Sequence, residues 1–248
     1  MRLYVLDYGS IELTVDTLLP GEGGGRWMTV GVPGYLIQAD DGKVILVDTG
    51  MPRTYVDDPE GTAKRDGYEG WMRTTPGEEN LPAGQLAKIG LGPGDVTHLV
   101  VTHTHFDHAG GLGDFPGAVH VIQRAERELP TPVYKGFAWP EGVAWQVIDG
   151  DAELAEGVRL LATPGHSPGH MSVMVTLPKT GKVLIAIDAI YLSASLERDN
   201  FKASWNEELA RESGHRVAKL AEEEGAWLMF GHDPAQWAAL KKAPEFYE

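Results

Sequence analysis

The segment VTHTHFDHAGG places three histidines and one aspartate within six residues, at His103, His105, Asp107 and His108. Imidazole nitrogens and carboxylate oxygens are ligands for zinc, iron, cobalt and manganese, and one ion needs only three or four of them. A lone histidine is more often an ordinary core or surface residue. Four potential ligands in this spacing indicate a metal site.

The cluster follows a predicted strand, THLVVTH, that must position it. Because side chains two residues apart leave an extended strand on the same face, His103 and His105 are expected to point together. The chain must then turn for Asp107 and His108 to reach the same place. The glycines of AGG permit that turn.

Further potential ligands stand near the ends of later apolar strands. TPGHSPGH offers His166 and His170, IAIDAIY offers Asp188, and MFGHDP offers His232. A charged aspartate or a polar histidine closing an apolar strand is costly to bury unless it is paired or bound to metal. Together with the first cluster, these residues predict a second metal ion.

Composition narrows the classes of function. The chain has 248 residues, 42% of them hydrophobic, and carries a formal net charge of −15. Nucleic-acid enzymes normally show a basic surface, so no nucleic-acid partner is expected. The absence of cysteine excludes disulfides, thiolate ligands and a cysteine nucleophile. Without a signal-peptide pattern or an apolar run of membrane-spanning length, we expect a cytoplasmic protein that does not bind membranes.

The periodicity predicts one α/β domain over residues 1–248. Strand patterns occur at LYVLDYG, IELTVDT, GYLIQAD and KVILVDTG, and six more follow residue 96 before a last strand, AWLMF. A short helix is expected near Gln85–Ile89. A long helix is predicted to begin at Ser204, where SWNE forms a capping box with Glu207, and to end at Gly225.

Residues 51–83 show no clear periodicity and are rich in proline and glycine, which predicts a long functional loop or lid. Its aromatic residues belong to a wider set of candidates for an apolar substrate groove. That set comprises Trp27, Met28, Tyr55, Tyr68, Trp71, Tyr134, Phe137 and Trp139.

The sequence resembles the metallo-beta-lactamase superfamily in its motifs and their order. It has the H-x-H-x-D-H motif, a later G-H, a strand-terminal aspartate and a final G-H, in that order, and VDTG at residues 47–50. The pattern covers most of the chain. The resemblance implies a four-layer αββα sandwich with metals held at one edge between two similar halves.

The resemblance also implies how the ligands are divided. One ion would be held by three histidines and the other by two histidines and an aspartate: His103, His105 and His170 for the first, and Asp107, His108 and His232 for the second. Asp188 would bridge both ions, and Asp48 would orient a ligand histidine through its other ring nitrogen. His166 would belong to the motif without contacting metal.

Tyr191 points to a particular activity. Its position three residues after Asp188, together with HTHFDHAGG and TPGHSPGH, is similar to the quorum-quenching N-acyl-homoserine lactonases. In that family a tyrosine at this position faces the substrate carbonyl, and Phe106 matches a position that contacts the lactone region. The resemblance implies hydrolysis of a small-molecule lactone by two divalent ions, with zinc expected and iron, cobalt or manganese as alternatives.

In the implied mechanism, a metal-bridging hydroxide attacks the lactone carbonyl carbon. Tyr191 would stabilise the resulting oxyanion, and Asp107 would carry a proton to the leaving ring oxygen. In the same family a loop like 51–83 contributes to dimer contacts, so a homodimer is expected.

Other functions fit parts of the pattern. Another lactone or ester, such as a pyridoxolactone or an aryl ester, could be the substrate of the same chemistry. A persulfide dioxygenase would need a single iron, and the presence of His108 and His232 argues against it. A metal-stabilised binding protein without turnover would leave the positions of Tyr191 and Asp107 unexplained.

Overall fold

The computed structural model describes residues 1–130 and 136–248, and their strands form two sheets. The first sheet has seven strands in the order β4-β1-β2-β3-β5-β6-β7. Its strands are β1 (Arg2–Thr14), β2 (Trp27–Gln38), β3 (Val44–Val47), β4 (Met72–Thr74), β5 (His98–Val100), β6 (Val119–Gln123) and β7 (Ala144–Ile148). From β3 to β7 neighbouring strands are parallel, so their carboxyl ends meet at one edge.

The second sheet has five strands in the order β12-β11-β10-β9-β8. Its strands are β8 (Ala152–Ala155), β9 (Val158–Ala162), β10 (Met171–Leu177), β11 (Gly181–Ile185) and β12 (Trp227–Met229). The pair β11–β12 is parallel, whereas the other neighbours are antiparallel. The chain after β11 and the chain after β12 therefore leave the sheet at the same edge.

Eight α-helices of the described residues connect and cover these strands. They are α1 (Val15–Leu18), α2 (Thr54–Asp57), α3 (Pro59–Asp66), α4 (Pro82–Ala87), α5 (Arg124–Arg127), α6 (Ser193–Glu197), α7 (Glu207–Glu224) and α8 (Pro234–Ala239). Short 3-10 turns occupy Glu78–Asn80, Pro93–Asp95, Leu112–Asp114 and Ile187–Ala189. Within the described ranges, no helix has the length and apolar character needed to cross a membrane.

Three apolar cores separate four layers. The sheets face each other through a core that includes Val47 and Val173, while a second core packs Leu86 of α4 against the outer face of the first sheet. A third core packs Val217 of α7 against Leu184 of the second sheet. The order helix, sheet, sheet, helix confirms the αββα sandwich that the family resemblance implies.

The segment 51–83 is not the structureless loop that its composition suggests. It contains α2, α3, β4 and the start of α4, and β4 pairs with β1 through Met72 opposite Leu13. Elements of three to eight residues are too short to show a period in the sequence. The two strands expected before residue 17 are likewise one strand, β1, with a register irregularity between Asp7 and Ser10.

The long helix begins later than the capping-box pattern predicts. The start at Ser204 is wrong, because α7 begins at Glu207 and the side chain of Asn206 accepts a hydrogen bond from the Leu209 backbone N–H. Asparagine is as good an N-cap as serine, so both signals compete in this stretch. The predicted end at Gly225 is confirmed, with a left-handed φ of 60°.

Candidate metal centre

Seven side chains converge at the edge where the strands of both sheets end. The loop after β5 supplies His103, His105, Asp107 and His108, the loop between β9 and β10 supplies His166, and the segments after β11 and β12 supply Asp188 and His232. Six of the seven side chains are buried, and His105 is half-buried. The sheet topology therefore assembles residues that are up to 129 positions apart in the chain.

Three histidine nitrogens form the first cluster. Nε2 of His103 lies 3.1 Å from Nδ1 of His105, and Nε2 of His166 lies 3.0 Å and 2.7 Å from these two atoms. Oδ2 of Asp188 is 3.6 Å from His103 Nε2 and 3.3 Å from His166 Nε2. Four potential ligand atoms thus surround one point.

The second cluster faces the other oxygen of Asp188. Oδ1 of Asp188 is 3.5 Å from Nε2 of His108 and 3.3 Å from Nε2 of His232. Oδ2 of Asp107 lies 3.6 Å from each of these histidine nitrogens. The Asp188 carboxylate therefore stands between the two clusters, with one oxygen directed to each.

Both clusters fit metal ions. Four ligand atoms at bonds of about 2.0–2.1 Å around a tetrahedral ion lie about 3.3 Å from one another, close to the separations found here. Nε2 of His108 and Oδ1 of Asp188 are buried without a hydrogen-bond partner among the described residues. Buried polar atoms are rarely left unpaired, and a cation at each cluster would satisfy them.

His166 and His170 exchange the places that the sequence analysis assigned to them. The Nδ1–H of His170 points to Thr163, whose Oγ1 and O lie 2.8 Å and 3.2 Å away, while its Nε2 accepts a hydrogen bond from the Asp188 backbone N–H at 3.1 Å. That nitrogen therefore has no lone pair left for a metal. The prediction of His170 as a ligand is corrected to His166, and His170 supports the backbone of Asp188 instead.

The Nδ1 atoms of His103, His108 and His232 contact acceptors, and this directs the Nε2 atoms of these three residues into the clusters. His108 Nδ1 donates to Asp48 Oδ2 at 2.8 Å, and His232 Nδ1 donates to the Gly31 carbonyl at 2.9 Å. His103 Nδ1 lies 3.1 Å from Thr102 Oγ1, which itself donates to Asp48 Oδ2 at 2.7 Å. Asp48 thus orients one histidine of each cluster, one directly and one through Thr102.

The electrostatics of the clusters favour a cation. Burial lowers the pKa of His103, His166 and His170, the last to about 3, so these rings are neutral. Burial acts to raise the pKa of Asp188, but the surrounding histidines, His108 first, hold the pKa of that carboxyl well below its usual range. Burial also acts to lower the pKa of His108, yet Asp188 and the other carboxylates raise it to about 10. The carboxylates therefore stabilise positive charge at this position.

The backbone is strained at Asp48 and at the residue before Asp188. Asp48 has a φ of 62°, and Ile187, directly before Asp188, has a φ of 52°. A β-branched residue with positive φ is an outlier, and such strain persists where the surroundings over-determine the conformation. Here Gly231 lies against Ile187, since a Cβ on Gly231 would be 2.5 Å from the Ile187 carbonyl oxygen.

Tyr191 lies beside the first cluster. Its Oη donates to the Ala203 carbonyl at 2.6 Å and is 2.6 Å from His166 Nδ1, whose N–H it can accept. Burial, followed by the nearby Asp188, raises the pKa of Tyr191 well above its usual value. The phenol therefore stays protonated, and in this conformation it orients His166.

A cavity of about 490 Å³ opens over both clusters. Its floor includes His105, Asp107, His166, Asp188 and His232, and Tyr191 lies in its wall. The rest of the lining is mainly apolar: Ile11, Leu13, Leu18, Val30, Tyr68, Trp71, Met72, Phe106, Ala203 and Trp205. This arrangement places a polar reacting centre beneath an apolar channel.

The predicted groove residues separate into two sets. Tyr68 and Trp71 of the 51–83 segment line the cavity, as does Phe106, whose ring centroid is 4.8 Å from that of Tyr68. The remaining described candidates do not line it: Trp27, Met28, Tyr55, Phe137 and Trp139. Phe137 packs against Trp139, Trp139 packs against Trp145, and both lie against the first core, whereas Tyr134 lies outside the described residues.

Sequence reasoning missed three residues that shape the centre. Thr102 and Gly31 bind histidine Nδ1 atoms, and Glu126 binds the loops that carry His105 and His166. Their residue types are common, and the partners of Gly31 and Glu126 are distant in the chain. Only the position of Thr102 beside the H-x-H-x-D-H motif could have drawn attention to it.

Comparisons with known proteins agree with this geometry. A model of the metallo-beta-lactamase superfamily matches residues 29–232. An N-acyl homoserine lactonase from Bacillus sp is 36% identical over 244 residues, which cover 98% of this chain and 94% of that protein.

Two solved structures are similar over 99% of this chain and 98% of their own, each with a TM-score of 0.91 and 32% identity. One is an N-acyl homoserine lactone hydrolase with the product N-hexanoyl-L-homoserine at its catalytic metal center. The other is a mutant of B. thuringiensis AiiA with N-decanoyl-L-homoserine bound at the active site.

Proposed function

The chain belongs to the metallo-beta-lactamase superfamily, and from that premise we propose that it hydrolyses the lactone ring of N-acyl-homoserine lactones. The observation that carries the proposal is the pair of clusters on the floor of an apolar cavity, with Tyr191 in its wall. The related structures support it, since they hold the ring-opened products N-hexanoyl- and N-decanoyl-L-homoserine.

Two divalent ions would be held by the two clusters, with the Asp188 carboxylate bridging them. The first set is His103, His105 and His166, and the second is Asp107, His108 and His232. We propose zinc because histidine nitrogen and carboxylate oxygen in near-tetrahedral sets suit it, with iron, cobalt and manganese as alternatives. When bound, the ions would lower the pKa of a water molecule and stabilise negative charge on the substrate.

Tyr191 would polarise the lactone carbonyl. Its hydroxyl hydrogen points to the Ala203 carbonyl, so substrate binding must redirect it toward the lactone oxygen. Because the phenol is buried and protonated, it can donate a hydrogen bond where negative charge develops. The same oxygen would continue to accept from His166.

Asp107 would move the proton. One of its oxygens faces His108 and His232, and the residue also lines the cavity, so a substrate can reach it. A carboxylate in that position can receive a proton from the attacking water and pass it to the ring oxygen as the ester bond breaks. This step needs no serine or cysteine nucleophile.

The apolar channel would bind the acyl chain. Each methylene moved from water into the channel contributes about 0.8 kcal/mol, so longer chains should bind more tightly until they leave the cavity. Tyr68, Trp71 and Phe106 belong to the apolar lining of this channel.

We also infer the domain organisation, the role of segment 51–83, the oligomeric state and the location of the protein. The described strands contribute to one sandwich, which supports a single domain over 1–248, and the aromatics of 51–83 at the cavity support a lid role for that segment. We also propose that this segment forms contacts in a homodimer and that the protein acts in the cytoplasm, where a small-molecule lactone reaches it by diffusion.

The test combines turnover with metal content. Purified protein loaded with zinc would be assayed for acid release from N-hexanoyl- and N-decanoyl-homoserine lactone, alongside Tyr191→Phe and the matched control Tyr4→Phe. The Tyr4 hydroxyl contacts Gln38, away from the centre. Removing one oxyanion donor costs about 10²–10³ in kcat, so Tyr191→Phe should fall in that range while the control matches the wild type.

The metal content of the purified protein before zinc loading distinguishes the candidate functions. Two metals per chain with turnover support the proposal. Two metals without lactone turnover would refute the substrate assignment and favour another ester, whereas one iron and no hydrolysis would refute the dinuclear hydrolase.

A further inference from the structure

Glu126, in the short helix α5 after β6, is a buried carboxylate outside both clusters. It accepts four hydrogen bonds. Oε1 accepts from the backbone N–H and the hydroxyl of Thr104 at 2.8 Å and 2.7 Å, and Oε2 accepts from the Ser167 hydroxyl and the Gly169 N–H at 2.7 Å and 3.0 Å. Both oxygens are thus satisfied by neutral donors.

These donors belong to the two loops that make the first cluster. Thr104 lies between His103 and His105, and Ser167 follows His166 directly. One loop comes from the first sheet and the other from the second. The Glu126 carboxylate therefore links the halves of the sandwich at the point where their histidine nitrogens come within 2.7–3.1 Å.

Close backbone packing fixes the second loop against α5. A Cβ on Gly169 would lie 2.3 Å from the Glu126 backbone nitrogen, and a Cβ on Gly165 would lie 2.1 Å from the Ala210 backbone nitrogen of α7. The loop carrying His166 is therefore held between α5 and α7 with no room for side chains at either glycine. Its position relative to the first loop depends on the contacts of Glu126.

Glu126 also contributes charge. It forms no ion pair with any residue in the ranges 1–130 and 136–248, so its negative charge is not neutralised locally. The two cluster aspartates, Asp107 and Asp188, supply two negative charges, and Asp48 and Glu126 bring the total to four. That total equals the positive charge of two divalent ions.

We propose that Glu126 is a positioning residue that holds the loops of His105 and His166 at the separation required by the first metal ion. It corresponds in role to Asp48, which serves His108 of the second cluster directly. The inference rests on the proposed dinuclear centre. It predicts that metal affinity at the first cluster depends on a carboxylate at position 126.

The central variant is Glu126→Gln. An amide oxygen replaces only one carboxylate oxygen, and the amide NH2 must face either the Thr104 N–H or the Gly169 N–H, neither of which can turn away. One loop therefore loses its anchor. The matched control is Glu128→Gln, two residues later on the surface, where the carboxylate pairs with Arg124. Ser167→Ala removes one donor and leaves the carboxylate in place.

Metal-free samples of the full chain would be titrated with Co²⁺ in a chelator buffer, with affinity and the d–d absorption spectrum as readouts. Loss of an outer partner of a metal ligand typically weakens affinity by about 10–100-fold. Glu126→Gln should show that loss for one of the two ions, with a changed spectrum. Ser167→Ala should show a smaller loss in the same ion, and Glu128→Gln should match the wild type.

Circular dichroism of each metal-free sample separates folding from positioning. A folded Glu126→Gln variant that binds both ions within twofold of the wild type, with an unchanged spectrum, would overturn the inference. If Glu126→Gln does not fold, Ser167→Ala becomes the test of the positioning role. Wild-type Co²⁺ affinity in Ser167→Ala would then overturn the inference. Wild-type protein that binds no Co²⁺ would instead refute the dinuclear centre, and the inference with it.

Discussion

Asp48→Asn is the substitution that tests the orientation of the histidines most directly. Asp48 is buried, and it accepts from His108 Nδ1 at 2.8 Å, Thr102 Oγ1 at 2.7 Å and Thr102 N at 2.9 Å. Its φ of 62° is one that asparagine also tolerates, so the substitution leaves the conformational energy of the backbone nearly unchanged. The change therefore removes the charge of Asp48 and alters its hydrogen bonds without adding backbone strain.

The amide of asparagine cannot satisfy the same donors. With its NH2 on the His108 side, His108 must carry its proton on Nε2, where the second cluster needs a lone pair. With its NH2 on the other side, it meets the Thr102 N–H, and leaving a buried donor unpaired costs about 1–3 kcal/mol. We expect metal affinity at the second cluster to fall by about 10–100-fold, equivalent to about 1.4–2.8 kcal/mol.

The assay is lactone turnover in chelator-buffered zinc, which gives the free metal concentration at half-maximal activity. Asp199→Asn is a matched control, because Asp199 also has a left-handed backbone, with φ 50°, but lies on the surface beside His215. Asp48→Asn should need about 10–100-fold more free zinc than the wild type and recover much of its activity in excess metal. Equal zinc requirements for Asp48→Asn, Asp199→Asn and the wild type would refute the reasoning.

Three further outcomes are expected. Burial holds the pKa of His170 at about 3, below its unfolded value of about 6.5, so its contribution to stability is present above pH 6.5 and is lost as pH falls toward 3, by about 1.4 kcal/mol per pH unit. His170→Gln should flatten this acid dependence in denaturant unfolding, and an unchanged slope would contradict the assignment. Gly31→Ala should lower the free energy of unfolding by about 1–3 kcal/mol, because the new Cβ would lie 2.3 Å from the Trp237 ring, and unaltered denaturation curves would show that the strand can shift. Trp71→Ala should lower kcat/KM for the decanoyl lactone about tenfold more than for the butanoyl lactone, equivalent to about 1.4 kcal/mol, and equal losses would remove Trp71 from the acyl channel.

The ligand positions show what local sequence can and cannot predict. Strand alternation predicts that His103 and His105 point together, and they do so although β5 ends at Val100; Asp188 and His232 follow from polar residues that close apolar strands. The choice between His166 and its neighbour four residues later could not be made in the same way, because each follows a glycine in nearly the same local sequence, PGHSPGH. The contact of His166 with Tyr191, 25 residues later, and that of His170 with Thr163 decide it.

Other features were beyond sequence reasoning for different physical reasons. Strand β4 has three residues and exists through its pairing with β1, so no periodic signal marks it. Glu126 lies in an ordinary helical turn, and its four hydrogen bonds come from two loops of different sheets. By contrast, the α/β class followed from patterning and the end of α7 from one glycine, because those signals are local, whereas the layer order followed from the family resemblance.

The centre is drawn from both sheets, and its last member, His232, donates to Gly31 across 201 positions of the chain. During synthesis, the second cluster cannot be complete before β12 and His232 have left the ribosome and docked. Ions that bind the folded chain and not the unfolded one then shift the folding equilibrium by mass action, by about 2.7 kcal/mol for each ion at a free concentration 100 times its Kd. We therefore expect the amount of folded protein in a cell to follow the metal supply, so that scarcity would remove the enzyme as well as its activity.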